Sequence, residues 1–320
     1  MRQKILNELF NAEGRYISGN ELAKRFGISR VAVWKHMEAL KAEGFQIEGL
    51  KNKGYCLHHT EEMVCVEEVL RELGSSEIGS HIESFPTLTS TNQKAHEMLR
   101  AGSVLPGSVI LSRTQTGGKG RRGREWESPS GGLWFSVVLR PDLPVQDIAL
   151  LSLVFALAVA EGLDPYVEGI EIKWPNDVFL KGHKIAGILL ELSGEVEQTE
   201  HLIVGVGVNV NVRMEDFPAE VSNVAGSLRN FTGQTLNLTE VFCSLLQSMD
   251  KHYTRYLKDG FVSFRDKYKK RCFHLGQVIS VKKQTKDIRG KNIDVDEQGN
   301  LLIEMDDRIE KINTGDVSIL

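Results

Sequence analysis

The chain has 320 residues and a mass of 35.8 kDa, enough for about two or three domains of roughly 100–200 residues, and its 41% hydrophobic and 26% charged residues are ordinary for a soluble globular protein. The net charge of −4 is unevenly spread: residues 1–59 carry 10 Lys/Arg against 6 Asp/Glu and the remainder 29 against 37, which points to a polyanion partner for the first part only. Cys56, Cys65, Cys243 and Cys272 are scattered with no C-x-x-C pair, which excludes a recognisable zinc module and fits free thiols in a reducing cytosol.

The opening "MRQKILNELF" reads as an amphipathic helix and not as a signal peptide, because no apolar region follows its basic start. In "SGNELAKRFG", Ser18 and Glu21 form a capping box and Gly27 closes the helix. Ser29 then caps "RVAVWKHMEALKAEG", whose Val33, Met37 and Leu40 make one apolar face and which Gly44 ends. Its outer face carries Arg30, Val31, Trp34 and Lys35. "FQIEGLKNKGYCL" reads as two strands around a basic turn. Helix, short glycine turn, basic helix and wing in this order are the layout of a winged helix-turn-helix, with Ser29, Arg30, Val31, Trp34 and Lys35 facing DNA. A small packing domain with solvated Arg and Lys is the alternative. A connecting helix over Glu61–Leu73 and a boundary at "GSSEIGS" follow.

In the central body, "TLTSTNQKAHEML" places Ser90 and Thr91 at a helix start, either as caps or as ligands for a small polar molecule. "GSVILSRTQ" is a strand, and it leads into "TQTGGKGRRGREWESPSGG". Gly118, Gly120 and Gly123 spell G-x-G-x-x-G, but a Rossmann loop must open a helix. Here Pro129, Gly131 and Gly132 break any helix, and "LWFSVVLR" is a second strand. Neither H-R-D nor D-F-G supports a kinase loop, and no G-K-[ST] supports a P-loop. What remains is a glycine-rich loop with four cations in six residues, Lys119, Arg121, Arg122 and Arg124. Such a loop can grip an anion, settling mainly when a ligand neutralises it, or it can be a solvated or nucleic-acid-contacting loop.

Further on, "IALLSLVFALAVA" is shorter than the ~20 residues of a membrane span and reads as a buried helix. "EIKWPNDVFLKGHKIAGILLELSGE" reads as strand, Pro-Asn-Asp turn, strand, short turn and strand. Lys173 precedes "WPND" and Lys184 starts "KIAGILLE"; a lysine beside an apolar strand often only snorkels. "HLIVGVGVNVNV" is an apolar strand whose glycines invite close approach, ending at Asn209. "LTEVFCSLLQSMDKHYTRYL" is an amphipathic helix, and the last fifty residues read as short strands of a small β-barrel with a turn at "DEQGN".

"STN", "QTGGKGRRGREW", "KWPND", "HKIAGILLE" and "GVGVNV", in this order behind a winged helix, closely resemble the family of bifunctional biotin–protein ligases and biotin-operon repressors along the whole chain. The family loop usually reads G-R-G-R-R-G; here Lys119 keeps the charge and loses the guanidinium fork. The resemblance implies an α/β multidomain protein. Residues 1–62 would form the winged helix-turn-helix, 63–270 an α/β ligase domain with a mixed sheet, and 271–320 an SH3-like β-barrel. It implies a two-step, cytoplasmic enzyme with biotin, ATP and Mg²⁺, forming biotinoyl-5′-adenylate and then acylating a lysine of a biotin carboxyl-carrier domain. It implies further that the adenylate-bound homodimer binds operator DNA and represses, with no membrane partner.

The same resemblance assigns biotin to Ser90, Thr91, Asn92, Gln115, Lys119, Gly120, Arg121 and Lys184. ATP and the adenylate fall to Gly118, Arg124, Trp126, Lys173, Asn176 and Asn209, and catalysis to Lys184, Arg121 and Asp177. "GILLEL" and "LWFSVVL" would wall the thioether and ureido ring, with Trp126 and Trp134 as stacking surfaces. No structural metal is expected. A biotinoyl-adenylate sensor without ligase activity and a lipoate-type ligase are the alternatives; the intact K-W-P-N-D and the winged helix argue against them.

Overall fold

The computed structural model describes residues 1–12, 14–42, 45–58, 63–195, 198–282, 287–306 and 308–319. Three helices open the chain: α1 (Arg2–Asn11), α2 (Gly19–Phe26) and α3 (Arg30–Ala42). Ser18 Oγ accepts the Glu21 amide at 3.1 Å, and Gly27 ends α2 at φ 64°, a conformation that strains side chains with a Cβ. Ser29 Oγ accepts the Ala32 amide at 3.1 Å and so caps α3. Val33, Met37 and Leu40 join Ile5, Leu9 and Leu22 in a core separate from the rest of the protein. The stop expected at Gly44 lies outside the described residues. β1 (Ile47–Leu50) and β2 (Gly54–Leu57) pair antiparallel around a tip bearing Lys51 and Lys53, the expected wing.

The linker departs from expectation. Glu61 and Glu62 lie outside the described residues, and α4 runs only over Val66–Leu73. The Cys65 amide donates to Thr239 Oγ1 at 2.9 Å, which ties the entry of α4 to the body. "GSSEIGS" is packed chain and not a boundary. Its Ile78 is buried in the central core beside Val69 and Leu73, and its amide donates to Asp250 Oδ1 at 2.8 Å. One buried isoleucine outweighs the turn-forming residues around it.

The body continues with β3 (His81–Leu88), α5 (Thr91–Arg100), β4 (Ser108–Gln115), β5 (Leu133–Leu139) and α6 (Val145–Leu163). Next come β6 (Ile170–Lys173), β7 (Asp177–Leu180), β8 (His183–Glu195) and β9 (Gln198–Val208). The helices α7 (Ala219–Ser222), α8 (Leu228–Thr232), α9 (Leu238–Asp259) and α10 (Val262–Arg271) close it. Seven strands form one sheet in the order β3-β4-β5-β9-β8-β7-β6. Only β3 and β4 run parallel, so the sheet is mixed.

Strand alternation divides this sheet's work. From β5, Leu133, Phe135, Val137 and Leu139 enter the main core with Val154 and Leu157 of α6 and Phe242 and Leu246 of α9. Val204, Val206 and Val208 of β9 do the same. On the other face Val138 and Ile203 pack under Ala95 and Met98 of α5. Beyond the reach of α5, that face presents Gly205 and Gly207, and the cleft described below opens there. α6 meets the length and hydropathy of a membrane span, but its Leu151, Val154, Phe155 and Leu157 are fully buried in the core.

At the C-terminus β10 (Val278–Lys282), β11 (Asp287–Val295), β12 (Leu301–Met305), β13 (Arg308–Ile312) and β14 (Asp316–Ile319) form an antiparallel sheet in the order β13-β12-β11-β10-β14. Asp296 Oδ1 accepts the Asn300 amide at 2.9 Å and closes the expected turn. Ile279, Val281, Ile303 and Val317 are continuous with the central core.

Candidate functional site

The cleft lies over β8 and β9, beside the start of α5, and is covered by the Gly-Arg loop. The cleft is open to solvent, and its atom-free space, open solvent included, is about 740 Å³. Ser90, Thr91, Asn92, Gln115, Lys119, Gly120, Arg121, Arg124, Trp126, Asn176, Asp177 and Lys184 line it together. Residues far apart in sequence thus converge because four strand ends and one helix start meet at one edge.

Polar groups at the closed end are satisfied by one another. Ser90 caps α5 by accepting the Gln93 amide, while Gln115 Oε1 accepts the Thr91 amide at 2.8 Å. Gln115 Nε2 donates to Ser128 Oγ at 2.8 Å, and Ser128 Oγ donates to the Trp126 carbonyl at 3.1 Å. The glycines of "GVGVNV" have a specific use here. The Asn92 amide lies where a Gly205 Cβ would be, and the Trp126 indole lies where a Gly207 Cβ would be.

At the open end stand the charges. Lys184 Nζ is 2.6 Å from Asp177 Oδ1 and 5.0 Å from the centre of the Trp126 ring. Arg121 donates to Asn176 Oδ1 at 2.9 Å, and Asn176 donates to the Ile188 carbonyl at 2.5 Å. Burial pulls the Arg121 guanidinium below its ordinary range, partly offset by Asp316 and Asp177. Burial likewise lowers Lys173, whose Nζ sits 5.6 Å from the Phe179 ring.

Three of the expected ligand-binding residues are not in the lining. Gly118 is buried, and a Cβ there would strike the Trp126 carbonyl and Ser128. Lys173 pairs in register with Asp177 across β6 and β7, outside the lining. Asn209 buttresses Lys184, donating to the Gly226 carbonyl at 2.9 Å, while its buried Oδ1 has no partner. Trp134 is corrected: it is fully buried, donates to the Pro129 carbonyl at 2.8 Å and supports Trp126 edge-on at 6.4 Å. It offers no stacking surface, because β5 is covered on both faces.

Sequence reasoning missed Asp316. Asp316 comes from β14 and lines the cleft, pairing with Arg124 at 2.5 Å and Arg122 at 3.1 Å. Arg122 also donates to the Lys282 carbonyl at 3.2 Å. A carboxylate from the C-terminal sheet supplies part of the neutralisation, and the Gly120 amide donating to the Arg124 carbonyl at 2.7 Å folds the loop on itself.

On the N-terminal unit, Ser29, Arg30, Val31, Trp34 and Lys35 are all exposed. Val31 and Trp34 are 62% and 53% accessible, unusual for large apolar groups, and share a groove with Lys51 and Lys53 of the wing.

Comparison with known proteins agrees along the chain. The Biotin/lipoate A/B protein ligase family matches residues 84–209, an HTH domain residues 1–56, and the Biotin protein ligase C terminal domain residues 274–320. The Bifunctional ligase/repressor BirA of Bacillus subtilis (strain 168) is 34% identical over 321 residues, 99% of this chain and 98% of that protein. The Escherichia coli (strain K12) protein of the same description is 28% identical, covering 96% and 94%. Among solved structures, a biotin protein ligase from Aquifex aeolicus in complex with biotin and ATP superposes with a TM-score of 0.66 at 31% identity, covering 75% of this chain and 98% of that one. With the cleft, the exposed helix and the C-terminal sheet in that order, the chain belongs to the family of bifunctional biotin–protein ligases and repressors.

Proposed function

We propose that the protein is an ATP-dependent biotin–protein ligase and, with adenylate bound, a DNA-binding repressor of biotin genes. The observation that carries the ligase reading is the convergence of Lys184, Arg121 and Asp177 at the open end of one cleft. In the first step a biotin carboxylate oxygen bonds to the α-phosphorus of ATP and pyrophosphate leaves. Two anions must approach each other, and fixed cations cancel that repulsion and the charge built up at phosphorus. Lys184, held by Asp177, and Arg121, held by Asn176, suit that task. In the second step an acceptor lysine amine bonds to the adenylate acyl carbon and AMP leaves. No nucleophilic side chain is needed, because the adenylate is already the activated acyl group.

Biotin lies at the closed end against Ser90, Thr91, Asn92 and Gln115, under Lys119, Gly120 and Arg121. The nucleotide lies at the open end near Arg124, Trp126 and Asn176. Lys173, in register with Asp177 across β6 and β7, adds positive potential to the site. Mg²⁺ is bound in proteins through one or two carboxylates plus substrate phosphates. Asp177 is a carboxylate of that kind in the cleft, so the donor set fits an ion carried on ATP, where it would offset phosphate charge.

The domain limits are residues 1–62, 63–270 and 271–320, and the acceptors are biotin carboxyl-carrier domains in the cytosol. A single winged helix makes few phosphate contacts, and non-specific sites bind at only about 10⁻⁴–10⁻⁶ M at physiological salt. Adenylate on the loop favours a homodimer that reads two half-sites, and by linkage operator DNA favours the dimer. Pyrophosphate exchange into ATP, measured with biotin and with lipoate, tests the enzyme. Biotin-dependent exchange is expected, lipoate-dependent exchange makes it a lipoate ligase, and no exchange with adenylate-dependent operator binding makes it a sensor.

A further inference from the structure

On α3, two large apolar side chains stand in water on the side opposite the core. Val33, Met37 and Leu40 are buried with Ile5, Leu9 and Leu22, so the packing of the helix does not need Val31 or Trp34. Those two are exposed, lie three residues apart and so share a face, and line the groove between α3 and the wing. Cations flank that groove, Arg30 and Lys41 from α3 and Lys51 and Lys53 from the wing. We infer that Val31 and Trp34 select the DNA sequence this protein binds, by packing against the 5-methyl groups of thymines on neighbouring base pairs of the major groove. This rests on the repressor reading above.

The chemistry of the groove names what it meets. An apolar patch between cations fits a surface that is apolar within and anionic at its rim. The major groove is such a surface only at thymine, whose C5-methyl is the one apolar group among base edges that otherwise present donors and acceptors. Covering an adenine, guanine or cytosine edge with valine would leave those groups dehydrated and unpaired. Trp34 adds one N–H donor to an apolar ring, and thymine sets its O4 acceptor beside the methyl. Spacing bounds the register. Side chains three apart on a helix have Cβ atoms about 5–6 Å from each other, and base pairs rise about 3.4 Å, so the two contacts fall one or two base pairs apart. One turn beyond Trp34 the same groove is lined by Glu38, whose carboxylate is 2.9 Å from Lys41 Nζ. A carboxylate meets repulsion from phosphates, so the apolar reading belongs to the start of α3, the part that a recognition helix turns to base edges.

The test uses the full chain with biotin and MgATP at one salt concentration. It is given a pool of duplexes with a randomised central segment, and the selected duplex is remade with single thymidines replaced by deoxyuridine, which removes the methyl group and nothing else. Binding should weaken about four-fold for each contacted methyl, the value of burying one such group, at two positions per half-site lying one or two base pairs apart. Val31→Ala should abolish the penalty at one of these positions and Trp34→Ala the penalty at the other. Both side chains are exposed, so neither variant removes core packing. Lys51→Ala at the wing tip should keep both penalties while weakening every duplex alike. Deoxyuridine tolerated at every position, or penalties that persist in both α3 variants or vanish in Lys51→Ala, overturns the inference. A wild-type chain that enriches no sequence from the pool refutes the repressor reading instead.

Discussion

At Lys184 the proposed chemistry rests on one ammonium group. It is held on three sides, by the Asp177 carboxylate at 2.6 Å, by the Trp126 ring and by its own backbone, whose amide donates to the Val224 carbonyl at 2.8 Å. A lysine that only snorkels would show neither the ion pair nor the ring contact. Lys184→Ala should therefore lower adenylate formation by roughly 10²-fold or more, read as biotin-dependent pyrophosphate exchange. An unchanged rate with a native melting curve would refute its role. Lys184, Trp126 and Asp177 were singled out by the family resemblance, because residue type and spacing alone leave a lysine beside an apolar strand as a snorkelling one; the structure brings all three to one cleft. The burial of Trp134 was not legible, because alternation alone cannot tell a strand with one covered face from a strand covered on both.

Among the elements, the Gly-Arg loop is the one whose sequence was most telling and whose restraint was least so. Its glycines and cations are local information, whereas Asp316 lies almost two hundred residues later on β14. No periodicity connects them, since only the docking of the C-terminal sheet brings them together. Arg121→Gly removes the tie to Asn176, and Asp316→Ala removes the tie to Arg122 and Arg124. Both should loosen the lid, so that reactive adenylate escapes and labels bystander lysines. Streptavidin blots of added bystander protein should darken for both variants, and equality with the wild-type chain would reject the lid function. Trypsin should also cut the Asp316→Ala loop faster, a readout independent of catalysis. β3, α7, α8 and α10 escaped the sequence reading for a related reason. β3 is an edge strand broken by Pro86, and α10 carries five Lys/Arg that hide its buried Phe264 and Tyr268.

For the whole molecule, the decisive contact is between the C-terminal sheet and the K-W-P-N-D strand. His274 Nε2 accepts the Trp174 amide at 3.0 Å, and Trp174 Nε1 donates to the Gly299 carbonyl at 2.9 Å. Two and three residues further along the chain from Trp174 come Asn176 and Asp177 of the cleft. Burial lowers His274 from 6.5 to about 4, so the folded protein keeps the ring neutral where the unfolded chain protonates it. The unfolded state then binds more protons between about pH 6.5 and 4, and stability must fall as pH drops through that window. The contribution lost between pH 7 and 5 is about 2 kcal/mol by linkage. His274→Gln should flatten that part of the profile of urea midpoints against pH, and an unaltered slope would show that other groups carry it. Glu161, held down to about 2 by His252 and Lys267, adds its own loss only at lower pH. The three-part organisation was readable from the chain, but this shared core was not, because Cys272, His274 and Asn292 have no pattern until they are packed.

The two-faced sheet has one more consequence, for inheritance. Along β9, Val204, Val206 and Val208 hold the protein together while Gly205 and Gly207 keep space for the cleft, so adjacent codons answer to different kinds of selection. A change at a valine thins the cellular supply of the protein. A change at the neighbouring glycine falls first on the work, because a Cβ there displaces Asn92 or Trp126 from the cleft. In a population of variants the defects along this strand would alternate residue by residue between scarcity and idleness, and a partial loss of one kind would not be rescued by making more of the other.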